Sequence, residues 1–229
     1  MKAMILAAGL GKRMRPLTEN LPKPLLQVAD QSLIEHQIQR LVESGIREIV
    51  INHFYHGDKI EQQLGDGAQF GADIHYSRES IRLETAGGII NALPLLQDDC
   101  FVVTNADVWT DFPFDSLQAV DGVDCLAHLV LVPNTEHHPY GDFFIDGNGR
   151  VHEDHERRDR RFTFSGISVL HRNLFEGYPA APLPLVPLLS EAMAKGMVSG
   201  EIYQGVWMDI GTPERLQQLN DIVKRRVTE

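Results

Sequence analysis

Apolar residues in this chain come in short blocks, and the spacing inside the blocks alternates between strand-like and helical. Ala3-Met4-Ile5-Leu6-Ala7-Ala8 is an unbroken apolar run, the pattern of a strand covered on both faces. Ile34, Ile38, Leu41 and Val42 then fall at helical spacing, and Gly45 is placed to end that helix. Glu48-Ile49-Val50-Ile51-Asn52 predicts a second buried strand, residues 58–64 a short helix and residues 73–76 another strand. A helix is expected from the Gly87-Gly88 pair to about Leu95, followed by strands at Cys100-Phe101-Val102-Val103-Thr104 and at residues 125–132. Strand alternating with helix implies an α/β fold: a Rossmann-like, mostly parallel sheet with right-handed crossovers and helices on both faces. Ligands of such sheets bind beyond the carboxyl ends of the strands.

Past residue 132 the pattern changes. Asp142-Phe143-Phe144-Ile145, the turn Asp146-Gly147-Asn148-Gly149 and Arg150-Val151-His152-Glu153 read as a small β-hairpin insertion over the far end of the crevice. Residues 162–170 return as a core strand, and the proline-rich residues 178–187 bridge to a helix. A last strand ends at Asp209, and Thr212-Pro213-Glu214 opens the final helix with a cap, a first-turn proline and an acid near the positive end of the dipole.

The first strand empties into Gly9-Leu10-Gly11-Lys12-Arg13-Met14-Arg15-Pro16-Leu17-Thr18, closed by Pro22-Lys23-Pro24. Small residues at Ala8, Gly9 and Gly11 let backbone N–H groups approach anionic oxygens, and the adjacent cations offset their charge. The chain carries a formal net charge of -11, yet residues 12–23 hold Lys12, Arg13, Arg15 and Lys23 against the single acid Glu19. Positive charge concentrated against the global trend points to a polyphosphate. A dinucleotide fingerprint is excluded, because Met14 stands at its third glycine. A P-loop is excluded too, since its glycines are further apart and a Ser or Thr follows its Lys.

Two carboxylates extend this picture. Asp107 follows a buried strand through Asn105 and Ala106, at the end facing the opening loop, where a hard oxygen donor suits Mg²⁺ bridging phosphates. Asp209 ends another strand, and an acid buried there needs a metal or cationic partner.

Length and composition narrow the class without changing the reading. The 229 residues, 43% apolar and 23% charged, are those of an ordinary globular chain expected to form one domain. No apolar run reaches the roughly 18 residues of a membrane span, and the charge behind Gly9 stops the first run too early for a signal peptide. Cys100 and Cys125 lie in apolar runs without metal spacing, as expected of free thiols in a cytoplasmic protein. The acidic balance argues against nucleic-acid partners. Oligomeric state stays open, a monomer included.

The loop, with Leu83-Glu84-Thr85-Ala86-Gly87-Gly88, Asn105-Ala106-Asp107 and Trp207-Met208-Asp209-Ile210-Gly211-Thr212, resembles the signatures of the sugar-1-phosphate nucleotidyltransferases over nearly the whole chain. The resemblance implies a nucleotide-binding part over about 1–130, a sugar-binding part over about 131–211 and a C-terminal helix over 212–229. It implies nucleotide contacts from Ala8, Gly9, Gly11, Lys12, Arg13, Lys23, Glu79, Glu84, Gly87 and Asn105, with Arg13 and Lys23 catalytic. Asp107 and Asp209 become Mg²⁺ ligands, and Gly141, Asp142, Glu153, Thr163 and Ser165 contacts to the sugar.

This chain departs from the family at Glu84, where many members carry Gly, and at Glu153-Asp154-His155, where many carry Glu-Lys-Pro. The run from Glu156 to Arg161 holds arginines that could replace the missing lysine, although its charges balance as in a solvated loop. Within the family, residues 83–85, 141–143 and 162–170 are most similar to the N-acetylmuramate α-1-phosphate uridylyltransferases. That similarity implies UTP and a sugar-1-phosphate as substrates, in peptidoglycan recycling, and a stand-alone catalytic module. A mannose-1-phosphate guanylyltransferase, a glucose-1-phosphate thymidylyl- or uridylyltransferase, and a sensor that binds nucleotide sugars without turnover remain alternatives.

Overall fold

A computed structural model describes residues 1–153 and 160–228, the last three as backbone alone. In chain order its main elements are β1 (Ala3–Leu6), β2 (Gln27–Val28), β3 (Gln31–Ser32), α1 (Leu33–Glu43), β4 (Glu48–His53), α2 (Gly57–Leu64), β5 (Asp73–Arg78), α3 (Glu84–Leu96) and β6 (Cys100–Asn105). They continue as β7 (Val108–Thr110), β8 (Ala127–Val132), β9 (Phe143–Ile145), β10 (Val151–His152), β11 (Arg161–His171), α4 (Val186–Ala194), β12 (Val198–Ile202), β13 (Trp207–Asp209) and α5 (Pro213–Thr228).

The sheet runs β12-β8-β11-β6-β1-β4-β5, and β11 is the antiparallel member of that run. The β9–β10 hairpin joins it by pairing with the start of β11 at Arg161 and Phe162. The expected mostly parallel α/β sheet is therefore present. Its strands are apolar on both sides because both faces are covered. Met4, Val50, Phe101 and Val103 pack with Ala86 and Ile89 of α3 and Leu189 of α4. Ala3, Ile5, Ile49, Ile51 and Val102 point the other way, toward Ile34 and Ile38 of α1 and Ile60 of α2. Neighbouring residues on one strand thus serve opposite layers, as the two-residue period requires.

A third cluster holds Met14 and Leu33 with Trp109, Ile210 and Leu219. It ties the opening loop to the small β7–β13 sheet and to α5. α1 starts on a capping box, in which Ser32 N–H donates to Glu35 Oε2 at 2.6 Å. Cys125 lies outside the strand expected from residue 125, because Asp121 Oδ1 accepts the N–H groups of Val123, Asp124 and Cys125 and folds them into a turn. The strands without a prior expectation are β2, β3, β7 and β12.

Candidate active site

β1 ends in the middle of the sheet, and the chain must leave it there. Ala7 N–H donates to Asn52 Oδ1 at 3.0 Å, which turns the backbone at the carboxyl ends of β1 and β4. Beyond that turn Ala8 and Gly9 line a cleft of about 240 Å³ with Lys23, Arg82, Glu84, Asn105 and Asp107. Gly11 takes φ 59°, and a methyl group there would sit 3.1 Å from Thr18 Cγ2 and 3.3 Å from Lys23 Cβ. The glycine is needed both for its backbone conformation and for the close seat of Lys23. Thr18 Oγ1 donates to Gly11 O at 2.8 Å and closes the loop. Buried Met14 anchors it from below, while Lys12 and Arg13 are exposed.

Lys23 Nζ forms an ion pair with Asp107 Oδ2 in this cleft, the lysine 11% and the aspartate 35% exposed. The second carboxylate arrives by strand pairing. Asp209 lies opposite Val108 in the antiparallel β13–β7 register, and Ile210 N–H donates to Asp107 O at 2.8 Å. Asp209 Oδ1 accepts from Arg215 Nη1 and lies 3.0 Å from His137 Nε2. Among the described residues the other oxygen of each carboxylate has no hydrogen-bond or ion-pair partner. Two hard oxygen donors on neighbouring strands, each with one oxygen available, fit a divalent cation such as Mg²⁺.

The glycine-rich turn is organised differently from the sequence expectation. Glu79 is buried, and its carboxylate accepts from Asn52 Nδ2 at 2.7 Å and from Leu83 N–H at 3.0 Å. It braces the turn from behind instead of lining the cleft. Gly88 permits this bracket, since a methyl group there would sit 2.8 Å from both Asn52 Nδ2 and Glu79 Oε1. Gly87 is also turned toward protein: a methyl group would meet Ala181 O at 2.1 Å, and Gly87 N–H donates to Leu183 O. These glycines therefore provide close packing of α3, whereas the expectation gave Gly87 to the nucleotide. Glu84 does line the cleft, at φ 59°, with its carboxylate 2.9 Å from Arg82 Nη2. A left-handed residue at this position explains why glycine is the natural occupant.

On the side expected to hold the sugar, Gly141, Asp142 and Glu153 line a second cleft of about 330 Å³ with Phe143, Arg161, Phe164 and Val186. Asp142 is held at both oxygens, accepting from Phe164 N–H at 2.8 Å and lying 3.1 Å from His138 Nε2. Thr163 and Ser165 are buried and directed into the scaffold, Thr163 Oγ1 donating to Asn134 Oδ1 and Ser165 Oγ to Val130 O. Ser165 belongs to a β-bulge where the β11–β8 register shifts. That bulge lets Gly166, at φ 79°, pack on Asn105 and lets Trp207 Nε1 donate to Ser165 O. Thr163 and Ser165, expected at the sugar, instead shape the strand that carries the wall. Residues 154–159, most of the arginine-containing run considered as a lysine replacement, lie outside the described residues.

Several side chains at these sites escaped the sequence reading. Asn52 was hidden as a neutral strand-end residue, and Arg82 because it sits among Arg78, Glu79 and Glu84 in a stretch of balanced charge. His137 and Arg215 converge on Asp209 from a loop and a helix far apart in sequence. Arg215 reaches Asp209 across the turn between β13 and α5, a contact that no periodicity in the sequence announces.

An acidic protein with a cationic glycine loop and two aspartates on adjacent backbone segments near the mouth of an α/β sheet has the anatomy of a nucleotidyl-transferring enzyme, and the chain belongs to the nucleotidyl transferase family, whose model matches residues 2–226. It is 45% identical to the N-acetylmuramate alpha-1-phosphate uridylyltransferase of Neisseria meningitidis serogroup B, over 95% of this chain and 96% of that protein. It is 34% identical to the protein of the same name from Caulobacter vibrioides, over 93% of this chain and 92% of that one. The mannose-1-phosphate guanylyltransferase catalytic subunit beta of Danio rerio is 31% identical over 93% of this chain but 62% of its own length. The structure of HddC from Yersinia pseudotuberculosis complexed with GMP-PN shares the fold, with a TM-score of 0.78 and 22% identity over 97% of this chain and 99% of that one.

Proposed function

We propose that the chain transfers a uridylyl group from UTP to N-acetylmuramate α-1-phosphate, releasing pyrophosphate and UDP-N-acetylmuramate, in the cytoplasm and as part of peptidoglycan recycling. The observation that carries nucleotidyl transfer is the Lys23–Asp107 pair set beside the small-residue loop that follows β1. The 45% identity over nearly full length supports the choice of uracil and muramate.

The reaction brings two anions together. A phosphate oxygen of the sugar attacks the α-phosphorus, its new P–O bond replacing the bond to the β-phosphoryl oxygen, and pyrophosphate departs with that electron pair. No covalent nucleophile is needed; positioning and charge stabilisation supply the catalysis. Backbone N–H groups around Ala8, Gly9 and Gly11 cradle the triphosphate. Lys23 sits where its compact charge can draw the attacking phosphate toward the α-phosphate, and Arg13 offers a forked contact for the leaving group. Asp107 and Asp209 would hold Mg²⁺, which supplies Lewis-acid polarisation of phosphate oxygens. Arg82 and Glu84 flank the base, and Gly141, Asp142 and Glu153 border the acceptor.

The test is pyrophosphate release with UTP, Mg²⁺ and N-acetylmuramate 1-phosphate, beside tubes holding glucose 1-phosphate with UTP and mannose 1-phosphate with GTP. Turnover confined to the muramate sugar supports the proposal. Turnover confined to another tube moves the substrate assignment to that sugar and base. UTP binding with no turnover anywhere would make the chain a sensor.

A further inference from the structure

Arg13 and Arg215 approach one another over Gly211. A methyl group on Gly211 would sit 2.8 Å from Arg215 Nη2 and 3.1 Å from Arg13 Nη2, so two guanidinium tips reach the same point of the backbone. They arrive from different elements, Arg13 from the short turn Lys12–Met14 and Arg215 from the first turn of α5. Among the described residues Arg13 has no hydrogen-bond or ion-pair partner, and the carboxylate bonded to Arg215 is that of Asp209. Arg215 uses Nη1 for this, donating also to Asp209 O at 3.0 Å and lying 2.9 Å from His137 Nε2, and leaves Nη2 facing Gly211.

Two like charges do not converge without a reason. One carboxylate, itself placed to hold a cation, does not balance two guanidinium groups, and an anion between them would turn repulsion into attraction. We propose that Arg215 is a phosphate-binding residue, forming with Arg13 a two-arginine clamp over Gly211 for the β- and γ-phosphoryl groups of the donor and for the pyrophosphate that leaves. This rests on the nucleotidyl-transfer reading of the site. Arg215 thereby joins two tasks through its planar fork, fixing Asp209 with one nitrogen and holding the leaving group with the other. Gly211 is small because the clamp closes across it.

The ligand class predicted is a diphosphate, with no requirement for base or sugar. The experiment is calorimetric titration of pyrophosphate and, separately, of UMP, with and without Mg²⁺, into the wild type, Arg215→Gln, Arg215→Lys and Gly211→Ala. Arg215→Gln keeps a donor for Asp209 and removes the charge. Pyrophosphate binding should weaken by at least about tenfold, equivalent to 1.4 kcal/mol, while UMP affinity changes by less than about twofold. Arg215→Lys should recover part of the loss. Gly211→Ala, which forces the two arginines apart and leaves both present, should reproduce the selective defect. Pyrophosphate affinity unchanged in both Arg215→Gln and Gly211→Ala, or equal weakening of pyrophosphate and UMP, overturns the clamp. Because pyrophosphate carries neither uracil nor sugar, a failure of the muramate assay leaves this result intact, and the two readings fall separately.

Discussion

The two clefts make opposite use of polar side chains. On the donor side, groups that face the cleft are bare backbone, small residues and a few charges, with Lys23 and Asp107 paired to each other. On the acceptor side, Asp142, Thr163 and Ser165 are tied into the protein by their own hydrogen bonds. A phosphate chain is the same in every nucleotide, so a fixed backbone cradle can hold it. A sugar varies in its substituents, and under the proposed function the wall against which it would rest is supported from behind by the buried Thr163 and Ser165. Charges that face the donor cleft are placed for contact, whereas buried polarity is construction on both sides, Glu79 behind the donor turn included.

The largest expected effect tests the donor side. Lys23→Ala should cost at least about 2.7 kcal/mol of transition-state stabilisation, a hundredfold in kcat/KM, because a positioned charge acts on developing charge. Arg13→Ala should fall in the same range, measured by pyrophosphate release at saturating Mg²⁺. Thermal unfolding should change little for Arg13→Ala, whose side chain is exposed. Near-native turnover in either variant would remove the distinction between the clefts.

Asp142→Ala should show the reverse signature. It strands Phe164 N–H and releases His138, so about 1.5–3 kcal/mol of stability is lost, as for hydrogen bonds to a charged acceptor. Chemical denaturation of the apo protein reads this directly. A variant of unchanged stability with a selectively raised KM for the sugar phosphate would make Asp142 a contact residue after all.

Between these lies Glu84, which borders the donor cleft in a backbone conformation that L residues adopt at a cost of about 1 kcal/mol. Glu84→Gly should raise stability by roughly that amount while changing the ratio of UTP to GTP use, since it also frees Arg82 from its ion pair. Stability lowered by this change would mean that the Arg82–Glu84 pair outweighs the strain.

The same contrast explains which features could be read along the chain. The sheet strands β1, β4, β6, β8 and β11 contain apolar runs, β5 shows the two-residue alternation of Ile74 and Tyr76, and the opening loop concentrates charge locally, so these were legible. β12 was not: Val198-Ser199-Gly200-Glu201-Ile202 has little apolar content and becomes a strand through its parallel pairing with β8. β7 is short and owes its existence to β13. Gly87 sat in the expected motif and Glu79 just before it, but whether a side chain or a glycine Cα faces ligand or protein depends on what packs behind the turn. That is Asn52 for Glu79 and the 181–183 backbone for Gly87. Arg215 was hidden for the opposite reason, since its counterpart Arg13 lies two hundred residues away in the chain.

The smallest effect concerns the acceptor-side hairpin and its response to acid. Asp146 Oδ1 accepts the N–H groups of Asn148 and Arg150 at 2.8 and 3.0 Å, and Oδ2 lies 2.9 Å from His152 Nε2. The His152 hydrogen bond, followed by the two backbone donors, holds this carboxyl below its ordinary value of 3.8. A depressed folded-state pKa adds stability that is complete above the unfolded value and disappears as pH falls through the folded one. Above the ordinary value the Asp146 contribution to protection of the Asn148 and Arg150 amides, read from exchange corrected for the intrinsic rate, should therefore be complete. Below the ordinary value their protection should fall, and Asp146→Asn should abolish that pH dependence. The Ala7 amide is held by the neutral side chain of Asn52 and should keep its protection through the same interval. If Ala7 loses protection in step with Asn148, the two sides open as one unit, and the division between a preformed donor cradle and a constructed acceptor wall does not extend to their local stability.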